Sequence, residues 1–173
     1  MQRIIGMIAP NWKLEGVIHG EMKWYELSEL RGKWVVFFFY PLDFTFVCPT
    51  EVKGFQSRIA DFEKLNSVVF GCSVDSVHSH KAWIKELGGL DYPLLSDFQK
   101  AVTKEYGVLI EEEGTALRGT FIIDPEGVIK WATMSDNNVG RSVDETLRVL
   151  EALQTGELCP IDWHHGQQTL GKS

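Results

Sequence analysis

Cysteine is scarce in this 173-residue chain: only Cys48, Cys72 and Cys159 occur. An odd count cannot be fully paired within one chain, and the even framework of small disulfide-stapled secreted domains is missing. No Cys-x-x-Cys pair is present, which excludes a zinc knuckle and the usual dithiol oxidoreductase pattern. Long apolar runs are lacking too; none reaches the roughly 18 residues of a membrane span. The first residues have no basic start, apolar segment and small-residue cleavage site, so a cytoplasmic protein without a membrane association is expected. There is no phosphate loop and no dinucleotide glycine fingerprint, so no bound cofactor is indicated. Positive charge is in deficit, 17 Lys and Arg against 24 Asp and Glu for a net −7. The bases are scattered rather than gathered in a stripe, which argues against a nucleic-acid partner. His164-His165 with Cys159 fits none of the usual zinc spacings, so no metal is expected.

What is present is the material for a core. Hydrophobic residues make up 44% of the chain and aromatics 12%, enough for one compact domain. Residues 34–40 form an unbroken apolar run of the kind a strand covered on both faces shows, ended by Pro41. From about Pro49, Val52, Phe55, Ile59, Phe62 and Leu65 recur at spacings of three and four, which predicts a helix with one buried stripe. A second strand over 68–74, a helix over 76–87 broken by Gly88-Gly89, and a shorter helix over 99–106 follow. Residues 119–124 and 128–134 read as a hairpin around Asp124-Pro125-Glu126-Gly127. Ser142-Val143-Asp144-Glu145 is a capping-box signal for a last helix with Val143, Leu147, Leu150 and Leu153 on one face. This order predicts an α/β, thioredoxin-like fold, a central mixed sheet flanked by helices. The domain is expected over 1–156, with a C-terminal tail over 157–173 that is polar and mobile.

The chemistry concentrates at Cys48, in the run Pro41-Leu42-Asp43-Phe44-Thr45-Phe46-Val47-Cys48-Pro49-Thr50-Glu51. With Pro49 as first helical residue, Cys48 becomes the N-cap, where unpaired backbone N–H groups and the helix dipole favour a thiolate, the attacking form. Thr45 supplies a nearby hydroxyl. Cys72, inside a β-branched and aromatic run without a basic neighbour, reads as inert core packing. His19, His78 and His80 belong to no motif and read as surface residues, so a cysteine hydrolase with a histidine base has no visible support.

These residues closely resemble the active-site segment of the typical two-cysteine peroxiredoxins, the group that includes bacterial alkyl hydroperoxide reductase peroxidase subunits. The resemblance extends through Ala9-Pro10, Asp75-Ser76, Ala82-Trp83, the 118–124 run, Gly140-Arg141-Ser142-Val143-Asp144-Glu145 and Cys159-Pro160. It implies a thiol peroxidase in which Cys48 is the peroxidatic nucleophile, attacking a hydroperoxide to give a sulfenic acid. Thr45, Arg118 and Pro41 would complete the site, with Glu51 and Arg141 orienting Arg118. Cys159 matches the resolving cysteine, reaching Cys48 of a partner subunit in a homodimer that assembles further to a decamer. Thioredoxin or a flavin-linked disulfide reductase would recycle the disulfide. A redox relay or holdase chaperone on the same scaffold is the alternative. Gly88-Gly89-Leu90 resembles the Gly-Gly-Leu-Gly element of easily overoxidised members, but Asp91 replaces the last glycine and no Tyr-Phe pair follows Cys159. That departure implies easier local unfolding at Cys48 and resistance to overoxidation.

Overall fold

The structure, a computed structural model, describes residues 3–173. The chain divides into two compact units, Met1–Arg141 and Ser142–Ser173.

In the first unit the elements run β1 (Lys13–Ile18), β2 (Glu21–Glu26), β3 (Trp34–Phe39), α1 (Cys48–Ser57), α2 (Ile59–Lys64), β4 (Ser67–Ser73), α3 (Val77–Leu87) and β5 (Leu94–Ser96). They continue with α4 (Ala101–Glu105), β6 (Leu109–Ile110), β7 (Thr115–Ala116), β8 (Arg118–Ile123) and β9 (Ile129–Ser135). Among the described residues, seven strands make one mixed sheet in the order β2-β1-β5-β4-β3-β8-β9. Strands β3, β4 and β5 are parallel, while β8 lies antiparallel to β3. Helix α2 packs on β4, and α3 on β1 and β5. This is the thioredoxin-like arrangement expected from the order of elements.

Strand β3 explains its own apolar run. Val35, Phe37 and Phe39 enter a core with Trp12, Phe70, Cys72, Tyr106 and Phe121, whereas Phe38, on the opposite face, stacks on Phe55 of α1 at 4.2 Å and 12°. A strand buried on both faces has no polar position to alternate with. Opposite it Gly71 leaves room for this packing: a Cβ there would lie 2.7 Å from Leu94 Cδ2 and 2.8 Å from Phe38 Cζ, so a buried side chain would have to shift.

Three local features differ from expectation. The helix begins one residue early: Val47 is the N-cap, and its carbonyl accepts from the Thr50 N–H at 3.0 Å, so Cys48 is the first helical residue rather than the cap. The predicted single stripe is carried by two helices, with Arg58 (φ −114°) between them. There the Arg58 N–H donates back to the Phe55 carbonyl at 3.1 Å, a tighter turn than the α-helical one. Val52, Phe55 and Phe62 are nonetheless all buried. A hairpin of β1 and β2 also precedes the first expected strand. His19 (φ 49°) and Gly20 (φ 78°) form its two-residue turn, both in the left-handed conformation that matches strand twist.

In the second unit, α5 (Val143–Gln154) starts at the expected cap, the Ser142 hydroxyl accepting from the Glu145 N–H at 3.1 Å, while the Glu145 carboxylate pairs with Arg148 instead of closing the box. The tail, read as mobile, folds back on itself. The Leu158 N–H donates to the Gly171 carbonyl at 2.9 Å and the Leu170 N–H to the Leu158 carbonyl at 2.8 Å. Arg148 Nη1 donates to the Trp163 carbonyl at 2.9 Å. No helix of the described residues is long and apolar enough to cross a membrane.

Candidate active site

Strand β3 delivers the chain to Pro41, and residues 41–47 cross to α1, where Cys48 opens the first turn with its side chain fully buried. Because Phe38 pairs with Thr120 in the antiparallel register, Arg118 lies beyond the end of β3, on the side to which Cys48 is brought. Its Nη1 donates to Cys48 Sγ at 3.4 Å and to Glu51 Oε2 at 2.6 Å. Its Nε donates to the Asn137 carbonyl at 3.1 Å, so the fork cannot swing away without breaking three contacts.

Glu51 stands one helical turn after Cys48 and faces two cations. Its Oε1 accepts from the Arg141 backbone N–H at 2.9 Å and from Arg141 Nε at 3.0 Å. Arg141 Nη1 further donates to the Gly119 carbonyl at 2.8 Å and to Thr120 Oγ1 at 2.9 Å, and Nη2 donates to the Phe39 carbonyl. The side chains of Glu51, Arg118 and Arg141 are each at most 4% exposed. Two guanidiniums and one carboxylate leave one surplus positive charge, and the remaining partner within reach is the Cys48 sulfur. Burial works against the Arg118 charge, but the contacts with Cys48 and Glu51 outweigh it and hold the guanidinium above its ordinary value. Arg141 is pulled below its ordinary value by burial, against which Glu51 acts.

Cys48, Glu51, Arg118 and Arg141 are therefore one connected group. Pro41 is buried at the start of the loop leading into it, and Thr45 is half-buried within that loop. The Thr45 hydroxyl donates to the Leu42 carbonyl at 3.0 Å, bracing the loop rather than the sulfur. Cys159 belongs to the second unit, where Thr155 Oγ1 lies 3.5 Å from its sulfur. Cys72 is buried in the core, and burial pushes its thiol well above the ordinary range, in keeping with inert packing.

One pair of residues escaped the sequence reading. His80, expected at the surface, is completely buried. Its Nδ1 lies 2.7 Å from Asp43 Oδ2 and its Nε2 2.9 Å from the Leu95 carbonyl. Asp43 also accepts from the Ser79 hydroxyl at 2.8 Å and the Tyr40 hydroxyl at 2.7 Å, while its own N–H donates to Asp75 Oδ2 at 2.9 Å. This network ties the loop before Cys48 to α3; the next residue, Phe44, has a left-handed conformation (φ 56°), costly for an aromatic side chain. The available signal was spacing: His80 falls on the buried stripe of Val77, Trp83 and Ile84. Asp91, where the glycine pattern breaks, bonds twice with Gln56 of α1, donating from its N–H at 2.7 Å and accepting from Nε2 at 2.7 Å. It also pairs with His19 at 3.0 Å.

Fold and site together define a class: thioredoxin-like proteins with a buried cysteine in the first turn of a helix, a guanidinium on its sulfur, and no second cysteine in that helix. The model of the AhpC/TSA family matches residues 5–132. The chain is 53% identical over 178 residues to YkuU of Bacillus subtilis (strain 168), spanning 98% of this chain and 99% of that one. It is 51% identical over 178 residues to the chloroplastic 2-Cys peroxiredoxin BAS1 of Spinacia oleracea, covering 96% of this chain and 67% of the relative. The reduced 2-Cys peroxiredoxin of Plasmodium vivax superposes with a TM-score of 0.91 at 36% identity, over 96% of this chain and 92% of that one. The chain belongs to the AhpC/TSA family, and its activity is that of a peroxiredoxin, an antioxidant oxidoreductase that acts as a peroxidase.

Proposed function

We propose that Cys48 is the peroxidatic nucleophile and that Cys159 of a partner subunit resolves it. The observation that carries this reading is the Arg118 guanidinium donating to Cys48 Sγ at 3.4 Å while Glu51 holds it in place. Negative charge on the sulfur is met by a fixed donor, and the same fork is positioned to meet charge developing on the peroxide. The thiolate attacks the terminal oxygen, the oxygen–oxygen bond breaks, and the departing oxide takes a proton to leave as water or an alcohol. Cys48 becomes a sulfenic acid. Pro41 shields the sulfur, and Thr45 supplies a hydroxyl once substrate enters. Glu51 and Arg141 orient Arg118.

The thiol of Cys159 then condenses with the sulfenic acid, giving an intersubunit disulfide and water. The two-cysteine names of the spinach and Plasmodium vivax proteins support that step. Hydrogen peroxide and organic hydroperoxides are the substrates, and thioredoxin or a flavin-linked disulfide reductase, in the cytoplasm, returns the electrons. A homodimer assembling to a decamer is supported by the apolar surface on the active-site loop, Phe44 at 53% and Phe46 at 97% exposure. No feature of the site favours a relay or holdase role.

The test is one equivalent of hydrogen peroxide added to fully reduced protein, followed by nonreducing electrophoresis and peptide mass mapping. A Cys48–Cys159 link between two chains is the expected product. A lasting Cys48 sulfenic acid would remove Cys159 from the cycle, and an untouched Cys48 would remove the nucleophile.

A further inference from the structure

Strands β3, β4 and β5 run parallel, and in open α/β sheets the carboxyl ends of such strands border the crevice where ligands collect. Cys48 lies beyond the end of β3. Beyond β4 and β5 lies a separate pocket of about 480 Å³, which takes in the start of α3 and shares no residue with the group around Cys48. One wall is a row across three strands: Trp24 of β2 and Ser96 of β5 each pair with Glu15 of β1, so the three side chains stand on one face. Phe98 lines the pocket just after β5. Trp24 is 63% and Phe98 69% exposed, two large rings that the core does not use.

Between Ser96 and Phe98 stands Asp97, only 2% exposed. Its Oδ2 accepts from both the N–H and the hydroxyl of Thr103, each at 2.6 Å. Its Oδ1 has no donor, and no cation pairs with this carboxylate among the described residues. The walled-in side-chain atoms that lack a partner there are Trp12 Nε1 and Asn137 Oδ1, so Asp97 Oδ1 is open to the pocket that its residue lines. A buried carboxylate without a counter-charge is costly. Glu15, half-buried on the same pocket, has no ion-pair partner either. The basic residue on the rim, Lys13, has its Nζ 3.9 Å from Glu26 Oε2. The start of α3 contributes about half a positive charge, against two carboxylates, and the Ser76 hydroxyl already accepts the Ser79 N–H there at 3.2 Å.

We infer that this pocket is a binding site for a small organic cation of the guanidinium class. A guanidinium is weakly hydrated, stacks on aromatic faces and carries its N–H donors in one plane. Against Trp24 or Phe98 it gains the attraction of the ring face. To Asp97 Oδ1 and Glu15 it brings the donors and the charge that the chain itself does not supply. The volume suits a ligand of this size with a short alkyl chain. The site rests on none of the roles given to Cys48 and Cys159.

The test is calorimetric titration of the full chain at low salt with butylguanidinium and with N-butylurea, its neutral counterpart of similar shape. Saturable one-to-one binding of butylguanidinium, about tenfold tighter than that of butylurea, is expected, since hydrogen bonds to charged groups supply the difference. Asp97→Asn keeps an acceptor for Thr103 and should weaken butylguanidinium binding about tenfold. Glu15→Gln leaves the Thr103 contacts alone and should weaken it in the same direction, so the outcome stays readable if Asp97→Asn fails to fold. Trp24→Ala should cost about fivefold, the share of the ring face. Equal affinity for the two probes would reduce the pocket to an apolar hollow and overturn the inference. Failure of butylguanidinium to saturate, or an affinity unchanged in both Asp97→Asn and Glu15→Gln, would overturn it as well. So would saturable binding of inorganic phosphate that Lys13→Gln abolishes, since the start of α3 and Lys13 would then dominate the charge.

Discussion

Arg141 grips Glu51 from two sides, with its backbone N–H at 2.9 Å and its Nε at 3.0 Å from the same carboxylate oxygen, while its guanidinium carbon sits 5.1 Å from the centroid of the Phe38 ring. The carboxylate is thus fixed by a residue that is itself packed into the β3 face. Glu51 thus gives Arg118 a fixed direction as well as an opposite charge, since the guanidinium that reaches Cys48 is paired with an anchored carboxylate.

Replacing Glu51 by Gln leaves two buried guanidiniums facing each other without an anion. Breaking a buried ion group in this way costs about 3–5 kcal/mol, so the denaturant midpoint should fall sharply and kcat/KM for hydrogen peroxide with it. Arg118→Lys should keep the fold, because a cation remains against Glu51, yet lose the fixed fork; about a 100-fold drop in kcat/KM is expected in stopped-flow peroxide consumption. Unimpaired turnover in Arg118→Lys would show that point charge alone suffices.

Asp43→Ala removes the acceptor shared by Tyr40, Ser79 and His80, all within a buried network. Leaving those groups unpaired should lower unfolding free energy by about 3 kcal/mol. Local opening of residues 41–47 should rise further, seen as faster amide hydrogen exchange there than in β4. Exchange increased equally in both segments would mean the network serves the whole fold and not the loop.

The fold should weaken in alkali. Burial raises Tyr40 and Tyr92 well above the ordinary tyrosine value of 10.0, and Cys72 above its 9.0. Groups raised in the folded state contribute stability that is complete below their unfolded values and lost as pH climbs toward the folded ones. Urea midpoints should therefore be level to about pH 8 and decline by about pH 10.5. Tyr92→Phe, which forfeits the bond from its hydroxyl to the Val52 carbonyl at 2.7 Å, should cost about 1 kcal/mol at neutral pH and flatten the alkaline decline. An alkaline slope unchanged in that variant would assign the loss to other groups.

Much of this arrangement is legible in the chain. The 34–40 run, the Asp124-Pro125-Glu126-Gly127 turn and the Ser142 cap are local signals, and each appears where its residues indicate. The grouping of Cys48, Glu51, Arg118 and Arg141 follows from a resemblance to a family whose fold brings those segments together. What stayed hidden is non-local or faint. Lys13, Glu15, Lys23 and Glu26 dilute the alternation of β1 and β2, so that hairpin carries little apolar signal. The break at Arg58 leaves the stripe of Val52, Phe55 and Phe62 undisturbed, and periodicity cannot reveal it. His80 looks the same on a helix whether solvated or buried until Asp43, 37 residues earlier, closes over it.

The contacts of Cys48 also set a schedule. Arg118 lies 70 residues downstream of it, and Arg141 lies 90 residues downstream of Glu51. During synthesis from the N-terminus, a chain grown only through β5 already carries the cysteine but neither guanidinium. Until Arg141 has emerged and β8 has paired with β3, the sulfur stands on an unfinished helix with no guanidinium beside it. On the proposed mechanism, competence against peroxide would arrive with completion of the sheet.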